Sequence, residues 1–448
     1  MFPLAGRYSF TNPKMQRSEF QAAREVQPGP VIVTAPGSLG DVNPMLAIAR
    51  QLHRSGHDVL FLAAERYLPM ARRAGLSVKS LVSEEQFQRL TRNPQLWHPR
   101  HGARLIFREA VEHFLEAHYD WLETQCVPGK TVLVSHVLDF AGRVYRDRYP
   151  ETPLVSVLPA PALLRSQRTP PRLSSHVWER WIPHWLIPAL YRGADAWVDG
   201  VGAQPINALR QRIGLPPVSR LLDKWWWSPD LVLGLFPDWF AIAAEDRLPQ
   251  LELIGFPLAD SADVLDPLVA HQLSELLDSF GGQRPLVFAP GTAHEQAGAF
   301  LSNAATACQE LNMPGILLSA NAGEHPDNLP PGVVAAEYLP FSQLLPHSAA
   351  IIHHGGVGTT SQALRAGVPQ VVVPMAFDQF DNAERVTKLK CGSWLPMNKQ
   401  TASRLSKHLR NLPQTASGCA AIARRFAAQP PAAALAVDKI HHMLAQRG

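Results

Sequence analysis

The chain has 448 residues, a formal net charge of +4, 46% hydrophobic and 18% charged residues; it is too long for one ordinary core and too apolar for a disordered chain, so two or more folded domains are expected. The small charge and the lack of any Lys/Arg-rich run argue against nucleic acid as a partner. Four scattered cysteines (Cys126, Cys308, Cys391, Cys419) make no metal or CxxC spacing, and no apolar run reaches the roughly 18 residues of a spanning helix; with no signal-type core near the start, a cytoplasmic protein is expected.

Residues 1–28 are polar and aperiodic and read as a flexible tail. Val31 to Ala35 reads as a buried strand, followed by the small-residue turn Pro36-Gly37-Ser38-Leu39-Gly40-Asp41-Val42. Asn43 as N-cap and Pro44 at the first helical position predict a helix that Gly56 stops, and Asp58 to Ala63 completes a βαβ unit. A helix over 104–124, a strand over 131–134, a helix over 140–148 and a strand over 154–158 continue the alternation. From 159 to 240 it is lost, and this insert holds eight of the eleven tryptophans. Such clustering fits either the packing of an irregular subdomain or a greasy surface for an apolar ligand.

Residues 258–284 read as a linker, with one helical stretch ahead of Gly281-Gly282. A second alternating series follows: a strand over 286–289, the turn Pro290-Gly291-Thr292, a helix over 297–311 and strands over 315–319 and 333–335. Ile351 to His354 then runs into Gly355-Gly356-Val357-Gly358-Thr359-Thr360, with a helix expected from about Thr359. Glycines at three of four positions permit close approach, and the free N–H groups of a helix start suit an anion, so the turn reads as a phosphate cradle; an ordinary tight turn is the alternative. Asp378-Gln379 follows the next strand, at the carboxyl end where open α/β sheets bind ligands. The expected organisation is an N-terminal domain over 29–257, a C-terminal domain over 285–430 and a terminal helix over 431–448 that packs back towards the N-terminal domain.

The segments Gly37 to Pro44, His353 to Thr360 and Asp378 to Asn382 together resemble the GT-B glycosyltransferases of family 1. The resemblance implies an α/β fold of two doubly wound, Rossmann-like domains facing across a cleft, and inverting transfer of a sugar from a nucleotide donor. A narrower resemblance, to the rhamnosyltransferases of bacterial rhamnolipid synthesis, is carried by Asn93 to Trp97, Ser228-Pro229, Leu235 to Phe240, Gly255 to Leu258 and Gly367 to Gln370. It implies dTDP-L-rhamnose, or a UDP-sugar, as donor and a hydroxyacyl lipid as acceptor, with peripheral inner-membrane association or a hydrolase-like partner subunit. His354 departs from it and matches the macrolide- and glycopeptide-modifying members instead. The alternative acceptor is therefore a polyketide, sterol or other apolar alcohol, and a reading of another class is a non-catalytic nucleotide-binding or activator protein.

Inverting transfer needs a base for the acceptor hydroxyl and a dipolar site for the leaving diphosphate. The resemblance puts the base at Asp41, with a pKa expected to be raised by burial; capping of the following helix is the competing role, which Asn43 is placed to fill. His354, Gly356, Val357, Gly358 and Thr359 are expected to hold the diphosphate, with Gly291 and Thr292 opposite. His353 should face away, since strand neighbours alternate. Asp378 and Gln379 would bind donor-sugar hydroxyls and Tyr338-Leu339 would lie beside the nucleobase. Trp178, Trp181, Phe236 and Trp239 are expected on the acceptor side. No metal and no cofactor is implied.

Overall fold

The computed structural model describes residues 30–97, 101–176, 182–242, 244–258, 267–291, 297–319 and 321–447. Two parallel sheets carry the chain. The first has the order β3-β2-β1-β4-β5-β6-β7, from β1 (Val31–Ala35), β2 (Val59–Ala64), β3 (Ser77–Val82), β4 (Val132–His136), β5 (Leu154–Leu158), β6 (Leu231–Gly234) and β7 (Leu251–Leu253). The second has the order β10-β9-β8-β11-β12-β13, from β8 (Leu286–Ala289), β9 (Gly315–Leu318), β10 (Val333–Ala336), β11 (Ala350–His353), β12 (Gln370–Val372) and β13 (Gly392–Trp394). Every pairing is parallel. Strand order reverses between β1 and β4 in one sheet and between β8 and β11 in the other, and the loops leaving these four strands line the two crevices where such sheets bind ligands.

Central strands are buried on both faces, which is why β1, β4 and β5 read as continuous apolar runs. Helices cover the faces. The terminal helix Ala432–Arg447 lays Ala436, Val437, Ile440 and Met443 into the N-terminal core, beside the helix Leu39–Arg54 and against β6. Its last residue, Arg447, also pairs with Asp230, so the end of the chain is fastened to the N-terminal sheet. Among the described residues no helix is long and apolar enough to cross a membrane.

Several expectations change. The first helix is Leu39–Arg54, not a helix capped at Asn43: Ser38 occupies the N-cap and Asp41 the third helical position. The insert is less irregular than its sequence suggests, since it holds β6 and the 26-residue helix Ile187–Arg212. Gly193, Gly200, Gly202 and Pro205 blur the helical period there; a Cβ at Gly202 would stand 2.1 Å from the Phe107 ring, so the glycine admits that ring. Trp225, Trp226 and Trp227 are buried. Trp226 Nε1 donates to the Val137 carbonyl at 2.6 Å and Trp225 Nε1 to Asp147 at 2.6 Å, so this part of the tryptophan cluster is packing.

Candidate functional site

Asp41 stands just beyond β1, and its carboxylate closes a capping box: Oδ2 accepts the Ser38 N–H at 2.9 Å and the Ser38 hydroxyl at 3.2 Å. Sequence reasoning set capping and catalysis against each other, but one oxygen caps while the other faces elsewhere. Oδ1 lies 3.4 Å from Nε2 of His136, the last residue of β4. The His136 Nδ1 accepts the Leu138 N–H at 3.3 Å, which leaves Nε2 as the donor atom of the ring, facing Asp41. His136 is buried, with 4% of its side chain exposed, whereas 30% of the Asp41 side chain is open. The imidazole therefore lies beneath and the carboxylate at the surface of the crevice.

Burial raises the Asp41 pKa, but the contact and charge of His136 and the two Ser38 donors outweigh it and hold the carboxyl below its ordinary value. The expected elevation is corrected accordingly. His136 is the residue that sequence reasoning missed. The strand was expected to end at Val134; two residues more would have put a histidine at the carboxyl end of the strand paired with β1.

The opposite wall is the glycine turn. β11 ends at His353 and the helix Val357–Ala366 begins two residues before the expected Thr359, with Gly356 as N-cap and no side chain capping its first N–H groups. His353 turns into the core, where Nε2 meets Gln370 Oε1 at 2.9 Å and Nδ1 accepts the Gly355 N–H at 3.1 Å. Burial, with the neighbouring His354, pushes its pKa down to about 3, so it is neutral at ordinary pH. The His354 ring stands nearly perpendicular, at 89°, and lies between two glycines. A Cβ at Gly291, after β8, would be 2.9 Å from its Nδ1, and one at Gly356 would be 2.6 Å from its Nε2. A Cβ at Gly358 would meet nothing within 4 Å, so space remains in front of the helix start. Thr359 is half-buried beside it.

Asp378 occupies the N-cap position of the helix Gln379–Lys388, with no capping bond from its side chain. Asn382 bonds the Asp378 carboxylate at 2.8 Å and the Gly355 carbonyl at 2.9 Å, tying the acid to the glycine turn. Burial raises the Asp378 pKa to about 7; the Asn382 bond opposes this, and the charge of Asp41 adds to it. The two carboxylates thus sense each other across the crevice. Gln379 directs its carbonyl oxygen to the N–H groups of Met375 and Ala376, at 2.8 and 3.2 Å. Among the described residues no group of three or more His, Cys, Asp or Glu is disposed to hold a metal ion.

The remaining expected site residues divide. Tyr338 is 63% exposed, while Leu339 belongs to the C-terminal core. Thr292, Trp178 and Trp181 lie outside the described residues. Phe236 is corrected: it is fully buried in the core just past the end of β6, its ring close against Gly234, and presents no surface to an acceptor. Trp239 packs on Phe240, Phe256 and Phe426, where the two domains meet.

Residues 309–442 match the family described as erythromycin biosynthesis protein CIII-like, C-terminal domain. The O-mycaminosyltylonolide 6-deoxyallosyltransferase of Streptomyces fradiae is 26% identical over 381 residues, covering 79% of this chain and 82% of its own. A solved calicheamicin glycosyltransferase superposes with a TM-score of 0.69 at 21% identity, over 94% of this chain and 99% of that one. A spinosyn rhamnosyltransferase complexed with thymidine diphosphate superposes with a TM-score of 0.63 at 20% identity, over 92% and 99%. The chain is a nucleotide-sugar-dependent glycosyltransferase of GT-B architecture. The narrower resemblance to rhamnolipid synthesis is overturned, since the related proteins modify antibiotics. The hydroxyacyl lipid acceptor drawn from it falls with it; at His354 the sequence already departed from that group.

Proposed function

We propose that this glycosyltransferase moves a deoxysugar, with inversion, from a thymidine-diphosphate donor to a hydroxyl of a polyketide-type acceptor. The observation that carries the reading is the pair of switch points, the one after β1 offering the partly open Asp41 carboxylate as proton acceptor and the one after β11 a helix start open to an anion. The names of the S. fradiae relative and of the spinosyn and calicheamicin enzymes support the class of acceptor, and the bound thymidine diphosphate supports the donor.

In this reading Asp41 is the base. As the acceptor oxygen bonds the anomeric carbon and the phosphate oxygen leaves with its electron pair, the acceptor proton passes to the Asp41 carboxylate. His136 acts through Asp41, orienting it and keeping it ionised. The N–H groups of Val357, Gly358 and Thr359, past Gly356, hold the diphosphate with His354, while Gly291 approaches it from the other side. Asp378 and Gln379 take the sugar hydroxyls, and Tyr338, beside Leu339, offers a face to the base. Purified protein is incubated with dTDP-deoxysugars and a panel of macrolactone and aromatic polyketide alcohols, and products are read by mass spectrometry and anomeric NMR coupling. An inverted glycoside of a polyketide supports the proposal; retention of configuration, or transfer restricted to other alcohols, overturns it.

A further inference from the structure

The helix Gln379–Lys388 follows β12 in the C-terminal domain, yet its buried charges are held from the other domain. Arg172 lies in the segment after β5 and is 6% exposed. Ser166 fastens that segment to the N-terminal domain, its N–H donating to the Tyr191 hydroxyl at 2.8 Å and its own hydroxyl to Asp246 at 2.6 Å. From there the Arg172 N–H donates to Asp381 Oδ1 at 3.2 Å. The Arg172 guanidinium pairs with Glu384 at 3.5 Å and lies 5.0 Å over the Trp394 ring at the end of β13. Its other N–H groups bond the Ser174 and His176 carbonyls at 3.0 and 3.1 Å, so the same group folds its own loop. The second Asp381 oxygen accepts from Arg385 Nε at 2.6 Å, and Arg385 donates in turn to the Phe240 and Ala241 carbonyls at 2.7 and 2.9 Å.

Contacts from near both ends of the insert thus converge on Asp381. A buried ion pair adds little net stability, because taking two charges out of water offsets their attraction; what it supplies here is one fixed geometry. The next residue, Asn382, bonds both the Asp378 carboxylate and the Gly355 carbonyl, so a slide of the helix at Asp381 moves the acid itself. The helix Val357–Ala366 at the glycine turn, by contrast, packs mainly on helices of its own domain. A further contact reaches the residue before Asp378. Phe377 has φ of +58°, a strained value for a bulky residue that only surrounding structure sustains. A Cβ at Gly102, in the N-terminal domain, would lie 3.1 Å from the tip of its ring.

We propose that Arg172 is a positioning residue for the donor sugar: from the N-terminal domain it sets, through Asp381 and Glu384, the helix that presents Asp378 and Gln379, while the nucleotide is held by the C-terminal domain alone. The inference rests on the transferase reading above. Its test uses Arg172→Met, which removes the guanidinium but keeps an apolar stem on Trp394, and Arg172→Lys, which retains a charge facing Glu384. Calorimetry with dTDP and with a dTDP-deoxysugar separates nucleotide from sugar. Arg172→Met should leave the dTDP Kd within about twofold and raise the dTDP-deoxysugar Kd and the donor KM about tenfold, with Arg172→Lys between it and the wild type. Glu384→Gln, which removes the ion pair without touching the loop, should show the same split at smaller size, so the test stands if Arg172→Met does not fold. Equal weakening of both ligands, as a merely structural role would give, or no weakening of the sugar nucleotide, overturns the proposal. If the wild type binds no dTDP-deoxysugar, the transferase reading fails separately. Hydrogen exchange then reads the hold on the helix: faster exchange in Glu384→Gln confined to 377–388 supports it, and unchanged exchange there overturns it.

Discussion

His136 Nε2 stands 3.4 Å from Asp41 Oδ1 at the carboxyl ends of two neighbouring parallel strands, with the imidazole buried and the carboxylate open to the crevice. Exposure separates the two: the carboxylate can be reached from the crevice and the imidazole cannot, so in the proposed reaction the histidine works through the carboxylate. Replacing Asp41 with Asn should lower kcat by about 10²- to 10⁴-fold, the span of a lost general base. The dTDP Kd, read by calorimetry, should stay unchanged. His136→Asn removes the group that holds the Asp41 pKa down. The acid limb of the kcat/KM profile should then move to higher pH, where a structural role for His136 would lower the whole profile without moving it. An unshifted limb would show that His136 does not tune Asp41.

The glycines of the turn serve different purposes, and alanine substitutions separate them. Gly355 has φ of +95° and its Cβ would strike Val372 at 2.6 Å, so Gly355→Ala should destabilise the fold by about 1–3 kcal/mol. Gly358 lies inside the helix with free space before it. Gly358→Ala should stabilise the unliganded protein, by about 0.5–1 kcal/mol on helix propensity, while raising the dTDP Kd about tenfold or more. Urea melts and calorimetry on the same preparations test both; tighter or equal nucleotide binding in Gly358→Ala would mean that the diphosphate lies elsewhere.

Phe236 offers a check on the corrected acceptor side. Fully buried, it should cost about 3–5 kcal/mol of stability when cut to alanine. Phe236→Leu keeps most of the volume, and should leave the acceptor KM within twofold when assayed well below its melting temperature. A large KM change in that variant would return Phe236 to the acceptor wall.

Much of the fold was legible because the pattern was simple. Strands such as Val31–Ala35 and Leu154–Leu158 are short apolar runs buried on both faces, and the helix Phe140–Arg148 follows its apolar period. The helix Ile187–Arg212 was hidden because Gly202 and Pro205 are breakers in an isolated sequence, whereas here Phe107 packs against the glycine. Strand β3, Ser77–Val82, alternates without a strong apolar face because it lies at the sheet edge. In the site, Asp41 and the glycine turn were visible as local motifs. His136 was not, for its meaning depends on β4 lying beside β1, a pairing between residues about a hundred positions apart. The contact of Arg172 with Asp381 is equally non-local.

The pH dependence of stability follows from two buried groups with opposite signs. Asp378 has a folded pKa of about 7 against 3.8 unfolded, so between these values the folded state holds a proton that the unfolded state lacks, and stability falls as pH rises. His353 has a folded pKa of about 3 against 6.5 unfolded, so there the unfolded state holds the extra proton and stability rises with pH. Between pH 4 and 6.5 the two slopes oppose, each up to about 1.4 kcal/mol per pH unit for one full proton. Denaturant unfolding at pH 4.5, 5.5 and 6.5 should therefore show Asp378→Asn gaining stability with pH more steeply than the wild type. His353→Gln, which removes the rising component, should gain less steeply or lose stability over the same range. Parallel slopes in all three proteins would mean that neither group changes its protonation on folding in this window.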